Sequence, residues 1–384
     1  MKSSSSGGMK SPSSGGTSLA RYKRVRPWHL VGAVGLFYAG LTLARFGGDP
    51  RAFAVICPDP ERISTGLCGY DGQFVYAIAI DPVGGAQYLD VPAYRYQRIL
   101  YPMLARVLGL GSAELIPWML ILINLIALVA GVALLEALLT GYGASRWYAL
   151  AYGLFAGTLL PLRLDLTEPL AYALVLGGVW AALRKQWWLS GGLLALAALT
   201  KETTLLFAAG VAASAALNRQ TRWAVVVALL ATLPFAIWQL ALRAQLGQFG
   251  IGSGGALGTP FELIPLRGWW SLAALHLGAF AVISLIVLPM AIIPALVSVW
   301  RALRDFARRR FDLPALLLFF NAAVVLFTPQ STFREPLGMA RLIVGLVASV
   351  LIYAASRRAE RGLNYALLWI FTLALALNES SLPV

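Results

Sequence analysis

The chain has 384 residues, 59% of them hydrophobic and only 12% charged, with a mean hydropathy of +0.73. This excludes an ordinary soluble domain, which needs far more polar surface to cover its core, and makes the bilayer the natural solvent. The formal net charge of +14 does not point to nucleic acid, which would require a soluble basic face; its distribution along the chain reads as membrane topology.

Residues 1–26 are rich in Ser, Gly, Lys and Arg, cannot bury enough apolar area to fold, and are predicted to be a disordered basic cytoplasmic tail. Arg21, Lys23, Arg24 and Arg26 lead into the first apolar run, 28–44. That is the order of an uncleaved signal anchor; the small residues near Ala44 leave a cleaved signal peptide as the alternative. The remainder, 27–384, is one membrane domain. Apolar stretches recur at 114–139, 147–161, 167–183, 187–200, 203–217, 223–242, 271–300, 313–328, 338–355 and 364–378. With the first run, these predict an all-α polytopic bundle of about eleven spans, several near the lower length limit of about 17 residues. The segment 96–110 is also helical in pattern, but Arg98 and Arg106 put charge on one face, which predicts an interfacial or re-entrant helix.

A cytoplasmic N-terminus and eleven crossings place most of the 31 Lys and Arg residues inside. They sit in the tail, at Arg146, Arg184, Lys185, Arg219 and Arg222, between Arg301 and Arg310, and at Arg357, Arg358 and Arg361. Counting 96–110 as a span would move the Arg301–Arg310 cluster outside. The predicted location is therefore the inner or plasma membrane, with the C-terminus extracytoplasmic. Two long loops then face outward: 45–98, containing the interfacial helix, and 243–270, whose glycine-rich run suits a mobile lid. Cys57 and Cys68, the only cysteines, share the first of these. An even pair in an oxidising compartment suggests a disulfide, two free thiols being the alternative. No internal repeat of fixed period is present.

Ionisable residues near membrane depth are costly and tend to be functional, and here they gather on the outward side. Asp71 lies in Gly-Tyr-Asp-Gly-Gln (69–73), Arg95 and Arg98 open the interfacial helix, and Asp165 and Glu168 lie between two spans. Lys201 and Glu202 form the tip of a pair of short apolar arms, and Arg334 with Glu335 caps another turn. Each also has a plain structural role. Asp71 before Gly72 suits a turn, the two arginines suit headgroup anchoring, Glu168 suits a helix N-terminus, and Lys201 with Glu202 suits an ion pair, though an idle one is expensive at that depth. The sequence holds no His/Cys metal cluster, no phosphate-cradling Gly-Lys-Ser/Thr loop, no dinucleotide fingerprint and no nucleophile elbow.

The strings Tyr-Asp-Gly-Gln-Phe-Val-Tyr-Ala-Ile-Ala-Ile-Asp-Pro (70–82) and Tyr-Arg-Tyr-Gln-Arg-Ile-Leu-Tyr-Pro (94–102) resemble bacterial multi-span proteins of cell-surface glycopolymer formation. More broadly they resemble the GT-C class of membrane glycosyltransferases. Thr-Glu-Pro-Leu-Ala (167–171) and Leu-Thr-Lys-Glu-Thr (199–203) are similar to outer turns of that class, and the likeness covers 69–206. The resemblance implies transfer of a sugar from a polyprenyl-phosphate donor to a glycan or lipid-linked acceptor at the outer face of the bilayer. Asp71 would be the base, and Arg95, Arg98, Lys201 and Arg334 would meet the lipid phosphate. Gln73, Asp165, Glu168 and Glu202 are further substrate contacts on the same side. Gly72 stands where many members carry a second acidic residue, so no cofactor is assigned and a divalent metal stays open. The chemistry agrees, since such a transfer needs a base for the acceptor hydroxyl, cations for the phosphate and no nucleotide site. Two alternatives stand beside it: a transporter or flippase of lipid-linked glycans, and a non-catalytic subunit of a wall-assembly complex.

Overall fold

Long runs of Leu, Ala and Val, with proline near several N-termini, give a chain that is mainly helical among the described residues. A computed structural model describes residues 25–377 other than 64, 66 and 67, and contains no strand among them. The predicted disorder of 1–26 falls mainly on residues outside that range. In chain order the main helices are α1 (Pro27–Arg45), α2 (Asp71–Ile80), α3 (Leu100–Leu108), α4 (Ile116–Gly141), α5 (Ala156–Arg163), α6 (Glu168–Leu183) and α7 (Trp187–Thr200). They continue with α8 (Leu205–Leu217), α9 (Thr221–Leu246), α10 (Leu277–Val287), α11 (Ile293–Ala307), α12 (Leu313–Leu326), α13 (Pro336–Leu342) and α14 (Val344–Ser356). Proline opens α1, α6, α12 and α13 at positions where its missing N–H costs nothing.

Among the described residues four helical units are long and apolar enough to cross a membrane: α1, α4, α9 and Leu277–Ala307, in which a π-turn at Leu288–Ile292 joins α10 to α11. The α13–α14 pair, bent by 47°, makes a fifth. Helices α6, α7, α8 and α12 are apolar but only 16, 14, 13 and 14 residues long. Two expected stretches are broken. The segment 147–161 divides at extended Phe155, and 364–378 becomes consecutive short turns. The segment 96–110 also divides, into Pro92–Tyr96 and α3. In α3, Arg106 Nη1 donates to the Ala79 and Ile80 carbonyls at 2.9 and 2.6 Å, so it caps the C-terminus of α2.

The bundle is built around α6, which packs between α4 and α7. Helix α7 packs on α9, α8 on α9 and α12, and α12 on α11 and α14. The core of these helices is apolar, with Tyr152, Tyr172, Phe155 and Phe207 among its largest buried side chains. Ionisable groups collect in two layers at opposite ends. One layer contains Glu168 and Arg341, at the start of α6 and the end of α13. The other contains Glu136 of α4 beside Arg26 and Arg146, and Asp305 of α11 bonded to Arg357 just past α14. From Glu168 to Arg184 is about 24 Å of helix at 1.5 Å per residue, close to the thickness of a hydrocarbon core.

The second layer is the basic one, and its turns share one geometry. Lys185, Arg219, Arg309 and Arg358 each adopt the left-handed conformation after a helix end. In each case the following N–H returns to a carbonyl five residues earlier, at 2.8–2.9 Å. Glycine would fill such positions at less cost; a cation there places positive charge against the negative helix C-terminus.

A single amide ties the opposite layer together. Asn124 of α4, fully buried, donates to Tyr101 Oη at 2.7 Å and to the Leu166 carbonyl at 2.9 Å. Asn124→Leu keeps the branched outline of the side chain but leaves that carbonyl and the tyrosine oxygen without this donor. It should lower stability by about 1–3 kcal/mol, read as the unfolding temperature of the purified protein in detergent.

Candidate functional site

The segment before α2 is held shut by a disulfide between Cys57 and Cys68, with Sγ–Sγ 2.08 Å and Cα–Cα 5.4 Å. Gln73 braces it: its Oε1 accepts from Cys57 N at 3.0 Å and its Nε2 donates to the Cys68 carbonyl at 3.1 Å. This fixes the first turn of α2, where Asp71 is the first helical residue and its carboxylate meets the positive end of the helix dipole. Gly72 is needed for a different reason. A Cβ there would lie 2.2 Å from the Leu164 carbonyl oxygen and 3.1 Å from that of Ala54, so the backbone of α2 rests directly on the α5–α6 turn.

Asp71 shares its two oxygens between two arginines. Oδ1 accepts from Arg95 Nη1 and Oδ2 pairs with Arg341 Nη2, both at 2.7 Å. Arg95 is also held by Asp90, through Nε and Nη2 at 2.7 and 2.8 Å, and stacks over Phe74 with its guanidinium carbon 4.1 Å from the ring centroid. Arg341 Nε donates to Glu168 Oε1 at 2.7 Å and Nη1 to Tyr70 Oη at 3.1 Å, while Tyr70 in turn donates to Glu335. Lys201 Nζ donates to the same Glu168 oxygen at 2.8 Å. Arg98 makes a two-pronged contact to Glu202 at 2.9 and 2.7 Å and donates to Tyr94 Oη at 3.0 Å. Residues far apart in the chain thus form one network, with Glu168 fully buried and Lys201 and Arg341 nearly so.

Burial would push the Asp71 carboxyl up, but the charges of Arg95, Arg341 and Arg98 outweigh it and hold the group well below the ordinary carboxylate range. The same balance holds Asp90 down: burial raises it, while hydrogen bonding from Arg95 and the charge of that arginine lower it further. A carboxyl whose native value is depressed contributes stability above its ordinary range, and that stability is lost as pH falls through the native value. Both pairs therefore stay ionised near neutrality.

Asp71, Phe74, Arg95, Arg98, Thr167 and Arg341 line a void of only ≈ 20 Å³, about one water. Across the Asp90–Arg95 pair lies the glycine-rich loop. Gln239 Oε1 accepts from Gly250 N and Ile251 N at 2.8 and 3.0 Å, and Asp90 Oδ2 accepts from Ala256 N at 3.0 Å. Thr259 and Ser331 are hydrogen-bonded at 3.1–3.2 Å. These hydrogen bonds latch the glycine-rich loop, and one latch is the carboxylate that also holds Arg95.

Of the residues singled out in the sequence, Asp71, Arg95, Arg98, Glu168, Lys201 and Glu202 converge. Gln73 serves the disulfide loop. Asp165 is fully buried beside the network, and no hydrogen bond reaches either carboxylate oxygen among the described residues. Arg334 is exposed and outside the network, whereas Arg341, seven residues on, pairs with both Asp71 and Glu168. Sequence reasoning passed over Arg341, Asp90 and Tyr70. Arg341 lies inside the apolar stretch 338–355, and a lone cation there is itself a signal of function. No family model matches the chain, and neither a curated protein nor a solved structure matches it.

Gly72→Ala should destabilise the protein by about 1–3 kcal/mol, because the opposing atoms are backbone and cannot swing aside. Asp71→Asn should be mild by comparison, since Arg95 keeps Asp90 and Arg341 keeps Glu168. Thermal unfolding of the two variants side by side checks the ranking.

Proposed function

We propose that the chain is a membrane glycosyltransferase of the GT-C type, moving a sugar from a polyprenyl-phosphate donor to a glycan or lipid-linked acceptor outside the inner or plasma membrane. The observation that supports this most is the pair of guanidiniums, Arg95 and Arg341, converging on one carboxylate beside a small void. Two arginines so spaced suit the oxygens of a phosphate, which accepts planar two-pronged contacts as a carboxylate does. Asp71 is the group such a phosphate would displace.

The resting void is too small for a sugar phosphate, so binding requires exchange of ion pairs. As the donor phosphate takes the Arg95 and Arg341 donors, Asp71 loses the charges that depress it and becomes a better base. It then removes the proton from the acceptor hydroxyl, the acceptor oxygen bonds to the anomeric carbon, and the bond from that carbon to the phosphate oxygen breaks. Polyprenyl phosphate leaves with its charge held by the arginines. Arg98, held by Glu202, adds positive potential to the same wall, while Lys201 shares Glu168 with Arg341. The glycine-rich loop, latched through Asp90, has to part from it for an acceptor to enter.

A transporter or flippase would be served by ionisable groups along a path through the bilayer. Among the described residues the buried charged groups fall in the two end layers, and the core between them is apolar. This favours chemistry at one face.

Asp71→Asn should leave expression and folding intact and lower turnover by about 10²–10⁴-fold, the usual contribution of a positioned base. The assay is transfer from a short-chain polyprenyl-phosphate sugar in detergent, and near wild-type turnover in a stable variant would remove Asp71 as the base.

Eleven crossings with a cytoplasmic N-terminus put the Asp71 network outside and the basic layer inside. Single cysteines introduced in place of Leu257 and Ala307, both exposed, test this with the native disulfide left in place. An impermeant maleimide should label the first in intact cells and the second only after permeabilisation; the reverse pattern would invert the orientation.

A further inference from the structure

The basic end of the bundle carries a second, larger concavity that takes no part in the Asp71 network. It has ≈ 230 Å³ of free space, against ≈ 20 Å³ beside Asp71. Its floor is neutralised internally: Asp305 accepts from Arg357 and from Tyr353 Oη at 2.9 Å, and Arg357 also reaches Asp312 at 2.7 Å. Its rim is not. Arg301 and Arg304 on the last turns of α11 and Arg308 just past its end follow one another at helical spacing, and no carboxylate lies within ion-pairing distance of any of them among the described residues. The guanidinium of Arg304 sits 5.5 Å from the centroid of the exposed Trp300 ring.

The surface leading to this rim is apolar. Ile293, Leu296, Val297, Trp300 and Leu303 are each more than 40% exposed and fall on one stripe of α11, which runs into Arg304. A soluble anion has no use for that stripe, whereas a lipid does. From Ile293 to Trp300 is about 10 Å of helix along which acyl chains could lie, ending at an interfacial tryptophan and three unpaired cations.

We infer that this concavity binds the headgroup phosphate of an anionic phospholipid, whose acyl chains lie along the exposed face of α11. The arginines supply charge-assisted donors to the phosphate, and Trp300 marks the depth of the headgroup. The site is independent of sugar transfer and would hold in a membrane protein of any activity.

The test uses the purified full chain in neutral detergent. Phosphatidylglycerol, phosphatidylcholine and inorganic phosphate are titrated separately, with thermal unfolding and native mass spectrometry as readouts. Phosphatidylglycerol should bind saturably and raise the unfolding temperature, and the other two should not at matched concentration. Arg304→Gln should weaken that binding about fivefold, and Arg301→Gln with Arg304→Gln about 25-fold, from roughly fivefold per cation near the surface. Arg309→Gln with Arg310→Gln removes the same charge from exposed positions outside the concavity and should change affinity by less than about twofold. Equal losses in the two double variants would reduce the effect to diffuse surface charge and overturn the site. Equal binding of phosphatidylcholine would overturn the anionic headgroup, and equal stabilisation by inorganic phosphate would overturn the lipid. If the Arg301–Arg304 double variant does not fold, the single Arg304→Gln variant decides against the same control.

Discussion

A carboxylate with no exposure, Glu168, sits at the first turn of α6 and is met by two cations, Lys201 from the end of α7 and Arg341 from the end of α13. Leaving that charge unpaired in an apolar bundle would be costly, so the three helix ends must arrive together or not at all. Arg341 then carries the constraint outward, because its remaining donors fall on Asp71 and Tyr70 and so seat the first loop on the bundle. The close approach of Gly72 to the Leu164 carbonyl completes the junction from the other side. The placement of Asp71 between two arginines thus depends on a buried pairing one layer below it.

That arrangement is electrically closed at rest. Asp71, Asp90, Glu168 and Glu202 face Arg95, Arg98, Lys201 and Arg341, and the void they leave is small. Closure of this kind is costly to build and makes poor use of the arginines if stability alone is served, since apolar side chains would fill the space at less expense. It is economical if an incoming anion replaces one of the internal carboxylates, because the cations are already oriented and desolvated when it arrives. The glycine-rich loop shares this logic, as Asp90 holds both Arg95 and the Ala256 backbone.

The two ends of the bundle treat their charge differently. At the Asp71 end four cations, Arg95, Arg98, Lys201 and Arg341, are each matched to a carboxylate and largely buried. At the basic end the turns expose Lys185, Arg219, Arg309 and Arg358 in strained left-handed positions, and the rim of the larger concavity keeps three arginines without a carboxylate partner among the described residues. Matched and buried charge suits a site that must exclude water, whereas unmatched charge suits a surface that faces anionic headgroups.

Much of this was legible in the sequence for simple reasons. Hydropathy over windows of helix length marks apolar helices whatever their partners, and so the all-helical bundle and the positions of α1, α4, α6 to α9 and α12 could be read directly. The rarity of charge in an apolar chain marked Asp71, Arg95, Arg98, Glu168, Lys201 and Glu202, because a group that costs energy to bury stands out in one dimension. Helix breaks were not legible, among them the division at extended Phe155 and the 47° bend between α13 and α14. Nor could the sequence choose Arg341 over Arg334, since hydropathy counts both as interruptions near one stretch and cannot say which faces the partner. Pairing is a property of three-dimensional distance. Which carboxylate each cation meets, that Gln73 spends its amide on the disulfide loop, and that Asp165 stays outside the network were decided only when α6, α7 and α13 closed around Glu168.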